Sequence, residues 1–324
     1  MRICKFLAAL LLSVLLVGSS LPVQAAAADV PEAGKTASLT ITYWDNGTAL
    51  KSAAFEVYRI AEMDADGNFV AVAPFKEYSV NMNPTADSDW ITLAGTLEGY
   101  VQRDKVIPTA SGKTDPSGVM ELTHLKQGLY LVIGHRHTQD GYIYETAPFV
   151  IHLPTRSEET GEWIYDTDVR PKHNVTPEGD EPETVMRKVL KVWSDEDHEN
   201  QRPKEITVQL LRDGEVYDTV ILKAENNWRY EWTELDGSAR WTVVETECEN
   251  YTVAISQEGV TFVVTNTYVP PVTPSPSPSP TPTPKPPNDT PKLPQTGQLW
   301  WPVPALIMAG LFLVVIGLIR RKDA

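Results

Sequence analysis

Apolar and polar residues alternate with a period of two through most of the chain. Successive strand side chains point to opposite faces, so this period predicts half-buried β-strands. In the first half Ser38–Trp44, Ala54–Ile60, Gly128–Ile133 and Pro148–Pro154 read as strands. In the second half, short alternating segments are separated by Asp213-Gly214, Asn226-Asn227 and Asp236-Gly237, the turn chemistry of a small all-β sandwich. One stretch breaks the rule: from Ile91 to Val106, Leu93, Leu97, Tyr100 and Val101 recur at helical spacing, which predicts a short helix inserted in the first half.

Both ends depart from this pattern. Arg2 and Lys5, an apolar stretch from Phe6 to Val17 and small residues near Val23-Gln24-Ala25 have the layout of a cleaved secretory signal, cut after Ala25 or Ala27. At the other end Leu299–Ile319 is almost wholly apolar and long enough to span a bilayer as a helix, and Arg320-Arg321-Lys322 follows it. Immediately before it stands Leu293-Pro294-Gln295-Thr296-Gly297. Pentapeptide, span and basic tail in that order resemble the sorting signal of sortase substrates. The resemblance implies cleavage between Thr296 and Gly297 and transfer of the Thr296 acyl group to an amine of peptidoglycan or of another subunit.

Between the sandwiches and this signal, Pro270–Lys292 is dominated by proline alternating with serine and threonine. Such a segment favours polyproline II and would reach roughly 70 Å at about 3.1 Å per residue. It reads as a stalk, or as a linker if less stiff. The expected organisation is therefore signal 1–25, first β-sandwich 36–174, second β-sandwich 184–268, proline-rich stalk 269–292 and sorting signal 293–324.

Charge and cysteine content narrow the class. Loss of Arg2, Lys5, Arg320, Arg321, Lys322 and Asp323 on processing takes the formal charge from −15 to −19. A chain this acidic is a poor partner for nucleic acid. Cys4 leaves with the signal, so Cys248 has no intramolecular partner and no disulfide braces the secreted chain.

The faces of the second sandwich suggest another brace. Val189, Lys191 and Trp193 share one strand face, Trp241, Val243 and Glu245 a second, and Phe262, Val264, Asn266 and Tyr268 a third. Each apolar face holds one polar residue, an arrangement too costly unless the three meet. If they meet, burial favours a neutral Lys191 amine and a protonated Glu245, and the amine can attack the Asn266 carboxamide with loss of ammonia.

The segments Val189–Trp193, Trp241–Thr246 and Val264–Tyr268 resemble the signature segments of the collagen-adhesin B-type (CnaB) domain. The resemblance implies a spontaneous Lys191–Asn266 isopeptide bond with Glu245 as its catalyst. It departs in the turn Thr246-Glu247-Cys248-Glu249-Asn250-Tyr251.

The first sandwich resembles the N-terminal domain of sortase-assembled pilins. Tyr43 stands where that family carries its bond-forming lysine and Gly134 where it carries the glutamate, so no internal bond is expected there. Trp163–His173 is similar to the pilin motif, which implies Lys172 as acceptor of the next subunit's sorting threonine, although Arg170 and Thr167 depart from the usual residues.

The fold class expected is all-β: two tandem immunoglobulin-like, CnaB-type sandwiches, the first with a helical insertion. The function expected is a cell-wall-anchored pilus subunit, basal, minor or backbone. The rival is a lone anchored adhesin for a host extracellular-matrix or cell-surface ligand. Sortase, peptidoglycan and other pilin subunits are the expected partners, and no cofactor is expected. His135 and His137 could share a strand face, but no third ligand stands at readable spacing, so no metal site is expected. Asp195-Glu196-Asp197 reads as a solvated loop, and no nucleophile elbow, phosphate loop or zinc-protease helix is present.

Overall fold

The computed structural model describes residues 30–246 and 248–270. The signal, stalk, Leu293–Gly297 motif and apolar C-terminal span expected from the sequence lie outside them. The longer strands of the first half are β1 (Ala37–Thr42), β2 (Ala54–Met63), β3 (Val119–Leu125), β4 (Gly128–Gly134), β5 (Tyr142–Thr146), β6 (Phe149–Leu153), β7 (Asp166–Val169) and β8 (His173–Pro177). β1 is central in one sheet, parallel to β7 and antiparallel to β3, and β4 lies between β6 and β2 in the other.

The inner faces of these two sheets close over Leu39, Ile41, Tyr43, Phe55, Val57, Tyr130 and Val132. β4 is buried on both sides: Leu129, Leu131 and Ile133 point outward, into a second core with Tyr58 and Ile60. This explains its unbroken apolar run. The second core is roofed by α1, Asp87–Arg103, through Leu93, Ala94, Leu97 and Val101. The helix starts four residues earlier than the periodicity suggests, with Asp87 and Asp89 in its first turn and Arg103 in its last, in accord with the helix dipole.

Among the described residues the second half has seven strands: β9 (Thr184–Ser194), β10 (Glu205–Arg212), β11 (Glu215–Lys223), β12 (Arg229–Asp236), β13 (Trp241–Glu245), β14 (Tyr251–Glu258) and β15 (Thr261–Tyr268). One sheet runs β12-β9-β15-β14 and the other β11-β10-β13. The first and last strands, β9 and β15, are parallel neighbours, with Lys191 opposite Val264 and Trp193 opposite Asn266. Asp213 and Gly214, both at positive φ, make the two-residue hairpin between β10 and β11 that their sequence predicts.

The core between the sheets holds Val189, Val208, Leu210, Leu222, Trp241, Val243, Phe262 and Val264, and Tyr100 of α1 belongs to it as well. The helix read as an insertion in the first sandwich is therefore shared by both. Both sandwiches lie in one compact unit.

Candidate functional site

The three polar residues that interrupt the apolar faces come together in the core of the second sandwich. Lys191 lies on β9, Asn266 on β15 of the same sheet and Glu245 at the end of β13 in the opposite sheet. The Lys191 and Glu245 side chains are 0% and 1% exposed, and Asn266 is fully buried. Asn266 Nδ2 donates to Glu245 Oε1 at 2.7 Å, and Lys191 Nζ lies 3.7 Å from Glu245 Oε2. Lys191 Nζ also donates to the carbonyls of Val192 (3.0 Å) and Val264 (3.3 Å), and lies 4.1 Å from the centre of the Trp193 ring.

Burial governs the charges. Desolvation pulls the Lys191 amine down to about 8, against the opposing pull of Glu245. Desolvation likewise pushes the Glu245 carboxyl up, against Lys191 and the Asn266 hydrogen bond. Both shifts favour the uncharged pair, an amine with a free lone pair beside a carboxylic acid.

Two buried acceptors fit this state. Glu245 Oε2 and Asn266 Oδ1 have no hydrogen-bond partner. An ionised Glu245 leaves both as orphan acceptors, whereas a proton on Oε2 turns one of them into a donor.

The surroundings hold the lysine under a cover. Asp195, expected in a solvated loop with Glu196 and Asp197, is instead 4% exposed, while its two neighbours are in solvent. Arg202 grips its carboxylate with two hydrogen bonds of 2.7 and 2.5 Å, and Tyr251 Oη donates to it at 3.0 Å. Those bonds hold its carboxyl below the usual range, the Arg202 bond contributing most. Tyr251 and Arg202 both pack on Trp193, which in turn covers Lys191. Charge patterning alone could not separate Asp195 from its neighbours; Arg202, seven residues on, was the available signal.

Cys248, in the turn where the signature departs, is a free, half-buried thiol. Burial, and then the Glu245 charge, push it up. A cavity of about 240 Å³ is lined by Glu245 and Cys248 together with Tyr78, Tyr100 and Asp104.

The equivalent place in the first sandwich is filled. Tyr43 is 1% exposed and its hydroxyl accepts a 2.9 Å hydrogen bond from Thr146 Oγ1. Phe55 and His173 meet its ring edge-on. A Cβ on Gly134 would stand 2.8 Å from the Phe55 ring and 2.9 Å from Thr146 Cβ, so no longer side chain fits there. Tyr43 and Gly134 meet around Thr146, in a hydrogen-bonded aromatic cluster.

Lys172 is exposed in the bend between β7 and β8. His135 is exposed and His137 half-buried, and among the described residues no three His, Cys, Asp or Glu side chains are grouped to hold a metal ion.

Residues 187–267 match the Cna protein B-type domain family. A 95-residue stretch is 38% identical to the collagen adhesin of Staphylococcus aureus, covering 28% of this chain and 8% of that protein. Among solved structures, a single B repeat unit of the collagen binding surface protein of Staphylococcus aureus aligns at 19% identity over 73% of this chain and 99% of that one, with a TM-score of 0.26. The major pilin SpaD of Corynebacterium diphtheriae aligns at 14% identity over 74% of this chain and 65% of that one, with a TM-score of 0.30.

Proposed function

We propose that the chain is a covalently anchored surface protein, a pilus subunit braced by an isopeptide bond between Lys191 and Asn266. The observation that carries this reading is the buried triad: an amine, a carboxyl and a carboxamide drawn from the first, fifth and last strands of one sandwich, with burial favouring the reactive protonation state of each. The neutral Lys191 Nζ attacks Cγ of Asn266, and the Nζ–Cγ bond forms as the Cγ–Nδ2 bond breaks. Glu245 polarises the carboxamide from Oε2, takes a proton from the attacking nitrogen and gives one to the departing nitrogen, which leaves as ammonia. Nothing is oxidised or reduced, and Glu245 ends as it began.

Intact mass tests the step directly. The chain from Ala26 to Thr296 is expected to weigh about 17 Da, one ammonia, less than its sequence, and Lys191→Ala, Glu245→Ala and Asn266→Ala are each expected to restore the full mass. A full-mass wild type would sink the reading.

In this proposal a sortase cuts after Thr296 and transfers its acyl group to peptidoglycan, and the exposed Lys172 amine receives the sorting threonine of another subunit. High-mass ladders that survive boiling in detergent and vanish in Lys172→Ala are the expected outcome on cells. The likeness to a collagen adhesin supports a second reading, a lone anchored adhesin. Absence of ladders together with binding to immobilised matrix protein would select it.

A further inference from the structure

The isopeptide reading raises a question of alignment. Lys191 and Asn266 lie in one sheet and Glu245 in the other. Ladder hydrogen bonds fix positions within a sheet, but the separation between sheets depends on whatever grips both.

α1 does so at one edge of the sandwich. β13 is an edge strand of its sheet and β14 of the other, and the helix bonds to both. Tyr100 Oη donates to the backbone carbonyl of Glu245 itself at 2.9 Å. Thr96 Oγ1 accepts the Ile255 N–H at 2.8 Å. Gly99 lies so close to β13 that a Cβ would stand 2.7 Å from Val244 Cγ1 and 3.1 Å from the Val243 carbonyl oxygen. Glu98 pairs with Arg240, the residue before β13, at 2.7 Å. Just upstream of the helix, the Ser79 carbonyl accepts the N–H of Val253, which stands opposite Asn266 in the β14–β15 ladder. Tyr100 is itself held, stacked on Tyr78 at 4.7 Å, whose hydroxyl donates to Asp104 at 2.8 Å.

We propose that α1 is a positioning clamp for bond formation, with Tyr100 the positioning residue that sets the Glu245 carboxyl against Lys191 and Asn266. Bond formation in the second sandwich then waits for the first to dock, and the bond seals a correctly assembled pair. The inference rests on the isopeptide reading. Tyr100 reaches the backbone of Glu245, not the reacting atoms, so its effect is on rate and on the proton balance of the Lys191–Glu245 pair.

The test refolds the chain from Ala26 to Thr296, the form proposed to exist at the cell surface, from denatured and unreacted material. Aliquots are quenched in denaturant, the fraction that has lost ammonia is read by mass over a range of pH, and tryptophan fluorescence follows folding separately. Tyr100→Phe is expected to slow ammonia loss about fivefold, the worth of one hydrogen bond, and to shift its pH profile while folding keeps pace with wild type. Gly99→Val, which pushes the helix off β13, is expected to slow it more than about tenfold. Thr96→Val is expected to slow it and Thr96→Ser to restore it, which covers the case in which Gly99→Val does not fold. Tyr100→Phe and Thr96→Val that fold and lose ammonia at the wild-type rate and with the wild-type pH profile would overturn the clamp and leave the bond standing. A wild type that loses no ammonia overturns both.

Discussion

Replacing Lys191 by methionine isolates what the proposed Lys191–Asn266 bond contributes to stability. Methionine is close to the lysine stem in length and has no amine, so the site stays filled and no buried cation is left unpaired. Glu245, pushed up by burial, remains protonated beside Asn266. Removing one partner of a buried ion pair is costly because it leaves the other charge uncompensated, and a Glu245 held neutral escapes that cost, so the side-chain change itself costs little. What is lost is the closure of a loop of about 76 residues, worth about 4.5 kcal/mol in the chain-entropy account. In a compact unit of this size one kcal/mol moves the melting midpoint by about 2–4 °C, which gives an expected fall of roughly 9–18 °C. Scanning calorimetry of the wild type beside Lys191→Met measures it. The double variant Lys191→Met, Glu245→Leu removes both ionisable groups and is expected to fall by a similar amount, because it too lacks the bond. Suppose the wild type has lost its ammonia and Lys191→Met still melts within about 3 °C of it. The loop-closure argument is then wrong. A double variant that melts at the wild-type temperature would assign the loss in Lys191→Met to a charge left in the core.

Three further outcomes are expected. The reactive state of the Lys191–Glu245 pair holds one proton, so ammonia loss on refolding is expected to be bell-shaped in pH, failing in acid as Lys191 is protonated and in alkali as Glu245 ionises; a rate that climbs without a maximum would refute the role of the acid. His152, with Nε2 unpartnered and its ring against Phe69, is pulled down by burial to about 4, so between about pH 6.5 and 4 the unfolded chain takes a proton that the folded one refuses. Stability is therefore lost as pH falls through that window, and His152→Phe is expected to flatten this acid limb in urea titrations; an unchanged limb would place its cause elsewhere. Gly134→Ala is expected to cost about 1–3 kcal/mol through contact with Phe55 and Thr146, and a variant as stable as wild type in guanidinium would show that this cluster gives way.

Particular residues show how far the sequence carried this account. Alternation put Lys191, Glu245 and Asn266 on inward faces because period two leaves little freedom once Val189, Val243 and Val264 are assigned to the core. Tyr43 and Gly134 were singled out only through the resemblance to the pilin domain, as departures from its lysine and glutamate. What the pattern hid was the second face of α1. Thr96 and Gly99 give no apolar signal, and Tyr100 was read with Leu93, Leu97 and Val101 as part of the helix's apolar spacing within the first sandwich. Their use is close approach and hydrogen bonding to β13 and β14. Gly95 and Gly99, one helical turn apart, were the visible trace of that approach. Asp195 was misplaced because its burial depends on Arg202 and Tyr251, and the Tyr251 bond spans 56 residues.

The placement of the two sandwiches along the chain explains why one triad is enough, if Lys172 is the acceptor. Tension from a neighbouring subunit would enter at Lys172 and leave through Thr296, and the chain between them runs through β8, the strand paired with β5 of the first sandwich, and then through the whole second sandwich. Apart from β8, the first sandwich lies N-terminal to the point of attachment, so a bond in place of the Tyr43–Thr146 cluster would lie off that path. In the second, force enters the start of β9 and leaves at the end of β15, and these strands are parallel neighbours. Such a load shears the pair along its length. A bond from Lys191 to Asn266 takes the force across near the far end of both strands and leaves everything between the two residues outside the path. Pulling a single molecule between Lys172 and Thr296 is therefore expected to show no unfolding step from that segment. Lys191→Met is expected to release it as an added length of roughly 250 Å, at about 3.4 Å for each freed residue. The same step in a wild type that has lost its ammonia would mean that the bond does not lie on the path of the load.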